Sequence, residues 1–377
     1  MQFPKKLTQK ILARKKNQTL RSLGKENNVI DFSSNDYLGF SKSEVIFNKI
    51  HQYLTAKNIK QNGATGSRLL SGNHHLYTIV EEELAKFHNT ETALVFNSGY
   101  DANIGLFSAV PQRGDIILYD EFIHASIRDG IQLSNAKAYK FKHNDLTHLK
   151  EILKRVQQND AHIYVVTESV FSMDGDSPDL INLVTICKKN NVYLIVDEAH
   201  ALGVFNFGLI QELNLQNEVF ARIVTFGKGF GCHGAAILGS KELQQYLINF
   251  ARSFIYTTGL SPHALATINC VYTEFRDSTG IEKSKKLQQN ILHFTSEIKR
   301  LSLNFIISNS AIHCCVIPGN EKVKLSAKNL KEKGFDVKPI LSPTVKKGEE
   351  RLRFCLHSYN SFKEITSVLE NLATFVN

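Results

Sequence analysis

Four short apolar runs, Thr92 to Phe96, His162 to Thr167, Val192 to Val196 and Ala221 to Phe226, are each bounded by polar or glycine-rich turns and separated by helix-like stretches such as Leu180 to Lys189. Each run is too short for a helix and rich in β-branched or other apolar side chains, so each reads as a buried strand. Strands that alternate with helices must bury both faces of their sheet. The pattern therefore predicts an α/β fold of three layers, an αβα sandwich with a mainly parallel central sheet. Ala235 to Leu238 reads as a further strand.

After about Thr257 the texture changes. Long amphipathic segments, Ser261 to Arg276 and Ile281 to Arg300, precede strand-like runs at Ala311 to Ile317 and Arg351 to Leu356, and a final helix begins at Phe362. These predict a smaller α+β C-terminal domain. The expected division is an N-terminal helical arm over residues 1–40, a large α/β domain over 41–260 and the C-terminal domain over 261–377.

The 45 Lys+Arg against 36 Asp+Glu leave a net charge of +9, which invites a nucleic-acid or membrane-surface role. Its location argues against one. Lys5, Lys6, Lys10, Arg14, Lys15, Lys16, Arg21 and Lys25 place eight basic residues and no acidic one in the first 25 positions, leaving 37 basic against 36 acidic in the remainder. The body is thus near neutral, and neither nucleic acid nor membrane is expected as a partner. No apolar run approaches the ~20 residues of a membrane span. The N-terminus has no apolar segment of the secretory kind, whereas Leu7, Ile11 and Leu12 recur at helical spacing and predict a retained helix. The six cysteines show no CxxC spacing and include the adjacent pair Cys314 and Cys315. They read as reduced thiols in a cytoplasmic protein, with no metal site.

Ligands gather at the carboxyl ends of parallel strands, where loops and helix N-termini converge. Here those ends run into Asn97-Ser98-Gly99-Tyr100, into Glu168 through Gly175, into Asp197-Glu198-Ala199-His200 and into Gly227-Lys228-Gly229. Asp-Glu-Ala-His after a strand also suits a nucleotide-driven helicase, but that chemistry needs a G-x-x-x-x-G-K-[ST] phosphate loop, and the chain has none. Gly229, Gly231 and Gly234 match G-x-G-x-x-G, yet a strand follows them where a dinucleotide site requires a helix.

What remains is an aspartate, a histidine and a lysine at strand ends. A lysine amine attacks carbonyls once its pKa is lowered and its path is clear, and the small neighbours of Lys228 clear that path. Asp197, 31 positions earlier, ends a buried strand and is suited to holding a pyridine nitrogen protonated. Schiff-base lysine and pyridinium partner together are what pyridoxal phosphate requires.

Further motifs carry a resemblance. Asp31-Phe32-Ser33-Ser34-Asn35-Asp36-Tyr37-Leu38-Gly39, Gly63 to Arg68 with Ser71-Gly72, Phe171 to Asp176, Asp197 to His200 with Gly203, Thr225 to Gly231, and Pro343-Thr344-Val345 before Arg351-Leu352-Arg353 stand in one order along the chain. In these the chain resembles the α-oxoamine synthases, a branch of the fold-type I pyridoxal-phosphate transferases.

The resemblance implies a set of roles. Lys228 would bond covalently to pyridoxal 5'-phosphate and move protons at the substrate Cα. Asp197 would pair with the ring nitrogen, His200 would meet the ring hydroxyl, and Thr225 and Ser172 would contact the cofactor. The Gly99 and Tyr100 backbone would hold its phosphate, and His124 would stack on the ring and touch substrate. Thr257 and Thr258 would reach the phosphate of a partner subunit, implying a homodimer with shared sites. Arg21 and Thr344 would contact substrate. The implied reaction joins L-alanine to a pimeloyl thioester of CoA or acyl carrier protein, with serine palmitoyltransferase and 2-amino-3-ketobutyrate CoA ligase activities as alternatives. One departure stands out. Leu341 occupies a position where relatives often carry an arginine, leaving Arg351, Arg353 or Lys338 to bind the amino-acid carboxylate.

Overall fold

The computed structural model describes residues 2–17, 19–23, 28–156 and 161–376. Lys25 of the basic arm lies outside these described residues. The strands in chain order are β1 Ile30–Asp31, β2 Thr92–Phe96, β3 Ile116–Asp120, β4 Lys137–Phe141, β5 Ile163–Glu168, β6 Tyr193–Asp197, β7 Ala221–Thr225, β8 Ala235–Gly239, β9 Ile312–Val316, β10 Phe335–Asp336, β11 Lys338–Ile340 and β12 Arg351–Cys355.

Seven of them form one sheet in the order β2-β8-β7-β6-β5-β3-β4. Strands β7, β6, β5, β3 and β4 pair in parallel, while β8 runs antiparallel to both β2 and β7. The four runs expected as strands are β2, β5, β6 and β7, the middle two shifted by one residue. Strand β4, Lys-Ala-Tyr-Lys-Phe, was not legible as a strand: it lies at the sheet edge with all but Phe141 exposed, so its residues need not be apolar.

Side chains alternate between the two faces of the sheet. Ile117, Tyr164, Val166, Ile195 and Ile223 pack beneath helices Gly99–Ala109 and Ala125–Leu133, whereas Leu118, Val165, Leu194 and Val196 pack beneath Leu146–Val156 and Leu180–Lys189. Three layers result, as the alternation of elements predicts.

The C-terminal part holds a three-stranded antiparallel sheet, β11-β12-β9, with helices Ser278–Arg300, Asn320–Glu332 and Phe362–Val376. One apolar cluster runs from Phe32 and Leu76 through Tyr272 to Phe354 and Leu369, so the two parts share a core. The β1 segment pairs with β10, which seats the Asp31 to Gly39 motif beside the C-terminal sheet. Helix Lys5–Lys16 buries none of its residues. No helix among the described residues is long and apolar enough to cross a membrane.

Candidate active site

The parallel register of β5, β6 and β7 sets Glu168 beside Asp197 and Asp197 beside Ile223, and the chain leaves β7 towards Lys228 three residues past its end. Three strand ends therefore bring a carboxylate pair and a lysine to one edge of the sheet. Lys228 Nζ stands 2.8 Å from His200 Nε2, and His200 Nδ1 stands 2.7 Å from the Tyr37 hydroxyl.

Asp197 is buried and held by two donors. Asn103 Nδ2 donates to Oδ2 at 2.9 Å, and the Ala199 amide donates to Oδ1 at 2.9 Å. Asn103 also donates to Ser126 Oγ at 3.0 Å, and that hydroxyl lies 2.7 Å from His124 Nδ1. His124 caps helix Ala125–Leu133, and its backbone amide donates to Glu168 Oε1 at 2.5 Å.

This clustering shifts the ionisations. Burial lowers the Lys228 pKa, opposed by the charges of Asp197 and Glu168, so the amine is more readily freed of its proton than an exposed lysine. Burial, then the charges of Lys228 and Arg353, hold His200 well below the usual histidine range, so its ring is neutral at pH 7. His124 keeps solvent access, yet the surrounding protein and the Lys228 charge lower its pKa. Burial, then the charge of Asp197, pushes the Glu168 carboxyl up to about 8.

The same residues fit pyridoxal phosphate. Thr225 Oγ1 is buried and has no hydrogen-bond partner among the described residues, an uncompensated cost that a bound group would remove. A Cβ built on Gly99 would lie 2.5 Å from Thr225 Cγ2, so only glycine lets the start of helix Gly99–Ala109 press against the end of β7. Ser98 caps that helix by accepting from the Asp101 amide, which leaves the first-turn amides of Gly99 and Tyr100 without intrahelical partners. Such amides bind phosphate. The Tyr100 side chain points elsewhere, donating to Asp129 Oδ2 at 2.7 Å.

Other expected residues stand around this centre. Asn97 Nδ2 donates to Thr257 Oγ1 at 3.1 Å and to the Thr258 carbonyl at 2.6 Å, so within one chain this pair lies beside the end of β2. The Ser172 carbonyl accepts from Arg353 Nε at 2.7 Å. Thr344 and Arg21 are exposed, and Leu341 packs against the core. Of the three candidates for a carboxylate partner, Arg351 is ion-paired with Asp174, and Lys338 is exposed and bonded to Asp336 at 3.1 Å. Arg353 is buried and meets no carboxylate among the described residues, donating instead to Ser172 and to Asn35 Oδ1.

Tyr37, Asn103 and Glu168 carry contacts that the sequence reading assigned to no residue. Tyr37 lay inside a recognised motif, and Glu168 ends a strand one position along the sheet from Asp197; both were accessible signals. Asn103 was not, because only the fold sets the fourth residue after Gly99 against β6.

The family model for aminotransferase class I and II matches residues 27–372. The 8-amino-7-oxononanoate synthase of Emericella nidulans is 38% identical over 367 residues, covering 92% of this chain and 89% of that protein. The solved 8-amino-7-oxononanoate synthase of Francisella tularensis is 30% identical with a TM-score of 0.78, covering 93% of this chain and 98% of that one. The Sphingomonas wittichii serine palmitoyltransferase is 27% identical with a TM-score of 0.85, covering 92% of this chain and 86% of that one. With the strand-end lysine, aspartate and histidine in place on a fold-type I scaffold, this chain belongs to the 8-amino-7-oxononanoate synthase family of pyridoxal-phosphate-dependent α-oxoamine synthases.

Proposed function

We propose that the protein condenses L-alanine with a pimeloyl thioester of CoA or acyl carrier protein, releasing the thiol and CO2 to give 8-amino-7-oxononanoate in biotin biosynthesis. The single observation that carries an amino-acid substrate is Arg353, a buried guanidinium that meets no carboxylate among the described residues and whose charge reaches both Lys228 and His200. A planar fork of donors takes a carboxylate in two hydrogen bonds, and an unpaired buried cation is costly until it does so.

Pyridoxal phosphate, when bound, supplies a sink for the electron pair that forms at Cα. The protein supplies the rest. Asp197, fixed by Asn103 and the Ala199 amide, presents a carboxylate that keeps the ring nitrogen protonated. Lys228, its charged form disfavoured by burial, removes the Cα proton and later returns it. Thr225 Oγ1, His200 and the amides of Gly99 and Tyr100 are the groups that would hold the cofactor. His124 would lie over the ring, oriented by Ser126 and by the Glu168 carboxyl group. Net, one C–C bond forms at Cα while the thioester C–S bond and the Cα–carboxylate bond break.

The proposed assembly is a homodimer in which Thr257 and Thr258 serve the partner's phosphate. Phe250 and Tyr256, both exposed beside this segment, are apolar surface that such an interface would cover.

Greater identity to the oxononanoate synthases supports alanine and pimeloyl substrates; the likeness in shape to serine palmitoyltransferase carries the second reading, serine with a palmitoyl thioester. A matrix of alanine, glycine and serine against pimeloyl, acetyl and palmitoyl thioesters, followed by CoA release, separates them. The proposal expects alanine with pimeloyl thioester to give the highest kcat/KM. Preference for serine with palmitoyl thioester would replace it by the second reading.

A further inference from the structure

Tyr37 is fully buried, yet its hydroxyl lies 2.7 Å from His200 Nδ1, and the other nitrogen of that ring lies 2.8 Å from Lys228 Nζ. On its far side the hydroxyl meets Asn35 Oδ1 at 3.3 Å. The same oxygen accepts from Arg353 Nη2 at 3.0 Å, and a guanidinium can only donate, so this contact fixes which end of the Asn35 amide is oxygen. An amide oxygen can only accept. The Tyr37 hydrogen therefore points to Asn35, and the hydroxyl oxygen is left to accept from His200. With its proton on Nδ1, the neutral imidazole presents the lone pair of Nε2 to the lysine amine.

We propose that Tyr37 is a positioning residue of the reaction, fixing the His200 tautomer so that Nε2 accepts from Lys228. Through Asn35, Tyr37 and His200 it also joins the Lys228 amine to Arg353 by one unbroken line of hydrogen bonds. The inference rests on Lys228 being the reacting amine and is independent of which thioester is used. The groups whose charges reach that amine are His200 and Asp197 from β6 and its turn, Glu168 at the end of β5, His124 at the start of helix Ala125–Leu133, and Arg353 and Cys355 of β12. A substitution at Tyr37 removes none of these groups, and of them only His200 and Arg353 lose a hydrogen bond to the hydroxyl.

Tyr37→Phe keeps the buried ring and deletes only the hydroxyl. Without that acceptor, the His200 proton is free to move to Nε2, where it donates to the lysine, and the charged amine loses its acceptor. In the full chain freed of cofactor, the pH dependence of Lys228 labelling by acetic anhydride, read by peptide mapping without any substrate, reports the amine directly. The profile is expected to move down by about one pH unit, the size of one hydrogen bond to a charged group. Thermal unfolding of the same samples establishes that the fold is kept. A second measurement needs no Tyr37 variant: 15N-histidine spectra of the wild-type chain, assigned with His200→Gln, are expected to place the His200 proton on Nδ1. A labelling profile that stays put or moves up, or a proton found on Nε2, overturns the proposal. Failure of the alanine and pimeloyl assignment would leave both measurements untouched.

Discussion

Arg353 Nη2 donates to Asn35 Oδ1 at 3.0 Å, joining β12 of the C-terminal sheet to the Asp31 to Gly39 motif 318 residues earlier in the chain. The guanidinium is buried, has no carboxylate partner among the described residues, and leans on an oxygen that also serves Tyr37. Arg353→Lys retains the charge but loses the planar fork. The KM for the amino acid is expected to rise by roughly tenfold to a hundredfold, the worth of one hydrogen bond to a charged group, with a smaller change in the KM for the thioester. Steady-state kinetics with each substrate varied in turn checks this; an unchanged amino-acid KM would remove Arg353 from the site.

Arg351, two residues earlier, is expected to behave differently. Its guanidinium is ion-paired with Asp174 and its Nε donates to the Glu349 carbonyl at 2.8 Å, all with little exposure. Arg351→Met strands a buried carboxylate and should lower unfolding stability by about 3 kcal/mol or more, whereas the double variant with Asp174→Asn should recover part of that loss. Denaturant titration of the singles and the double measures the coupling. Additive losses would mean that the pair contributes nothing specific.

His143 predicts a pH dependence. Its ring sits 2.9 Å from Asp120 Oδ1 and 2.9 Å from Asp176 Oδ2, bridging the end of β3 to the loop that carries Ser172. Burial disfavours the charged ring, but the hydrogen bonds and charges of Asp120 and Asp176 outweigh it and raise the pKa to about 9. A raised histidine pKa contributes stability that is complete below its unfolded value of ~6.5 and is lost as pH rises through about 9. The contribution at low pH is on the order of 3 kcal/mol. The stability gap between wild type and His143→Gln, measured by denaturation from pH 6 to 10, should therefore narrow towards the alkaline end. A gap that is constant with pH would contradict the charged bridge.

The basic arm allows a kinetic test. Arg21 is exposed and follows a helix, Lys5–Lys16, that buries none of its residues while carrying six basic side chains and no acidic one. If the arm forms an entrance for an anionic acyl thioester, Arg21→Ala should raise the thioester KM roughly threefold to tenfold, leave kcat nearly unchanged, and lose its effect at high salt. Unaltered Michaelis constants for both substrates would make the arm a solvated helix only.

The clustering of Lys228, Asp197 and His200 was legible because these residues stand where apolar runs stop, and apolar runs of five or six residues announce buried strands. The positions of Lys228, Asp197 and His200 after successive strands place them at one edge of a sheet from the pattern alone. Contacts made across long separations were not legible. The Tyr37 and His200 side chains meet across 163 positions, and no local pattern encodes that pairing. Arg351 and Arg353 had equal claims on a carboxylate, since both sit on one face of β12, and only the position of Asp174 tells them apart. Strand β4 escaped notice for a simpler reason: an edge strand open to solvent has no need of the apolar pattern that marks its neighbours.

The most direct test of the account is reduction of the cofactor-loaded protein with borohydride, followed by digestion and mapping of the labelled peptide. The account predicts pyridoxyl label on Lys228, within the segment Thr225 to Gly231, and on no other lysine. Label on a different lysine, or a protein that takes up no pyridoxal phosphate, would contradict it.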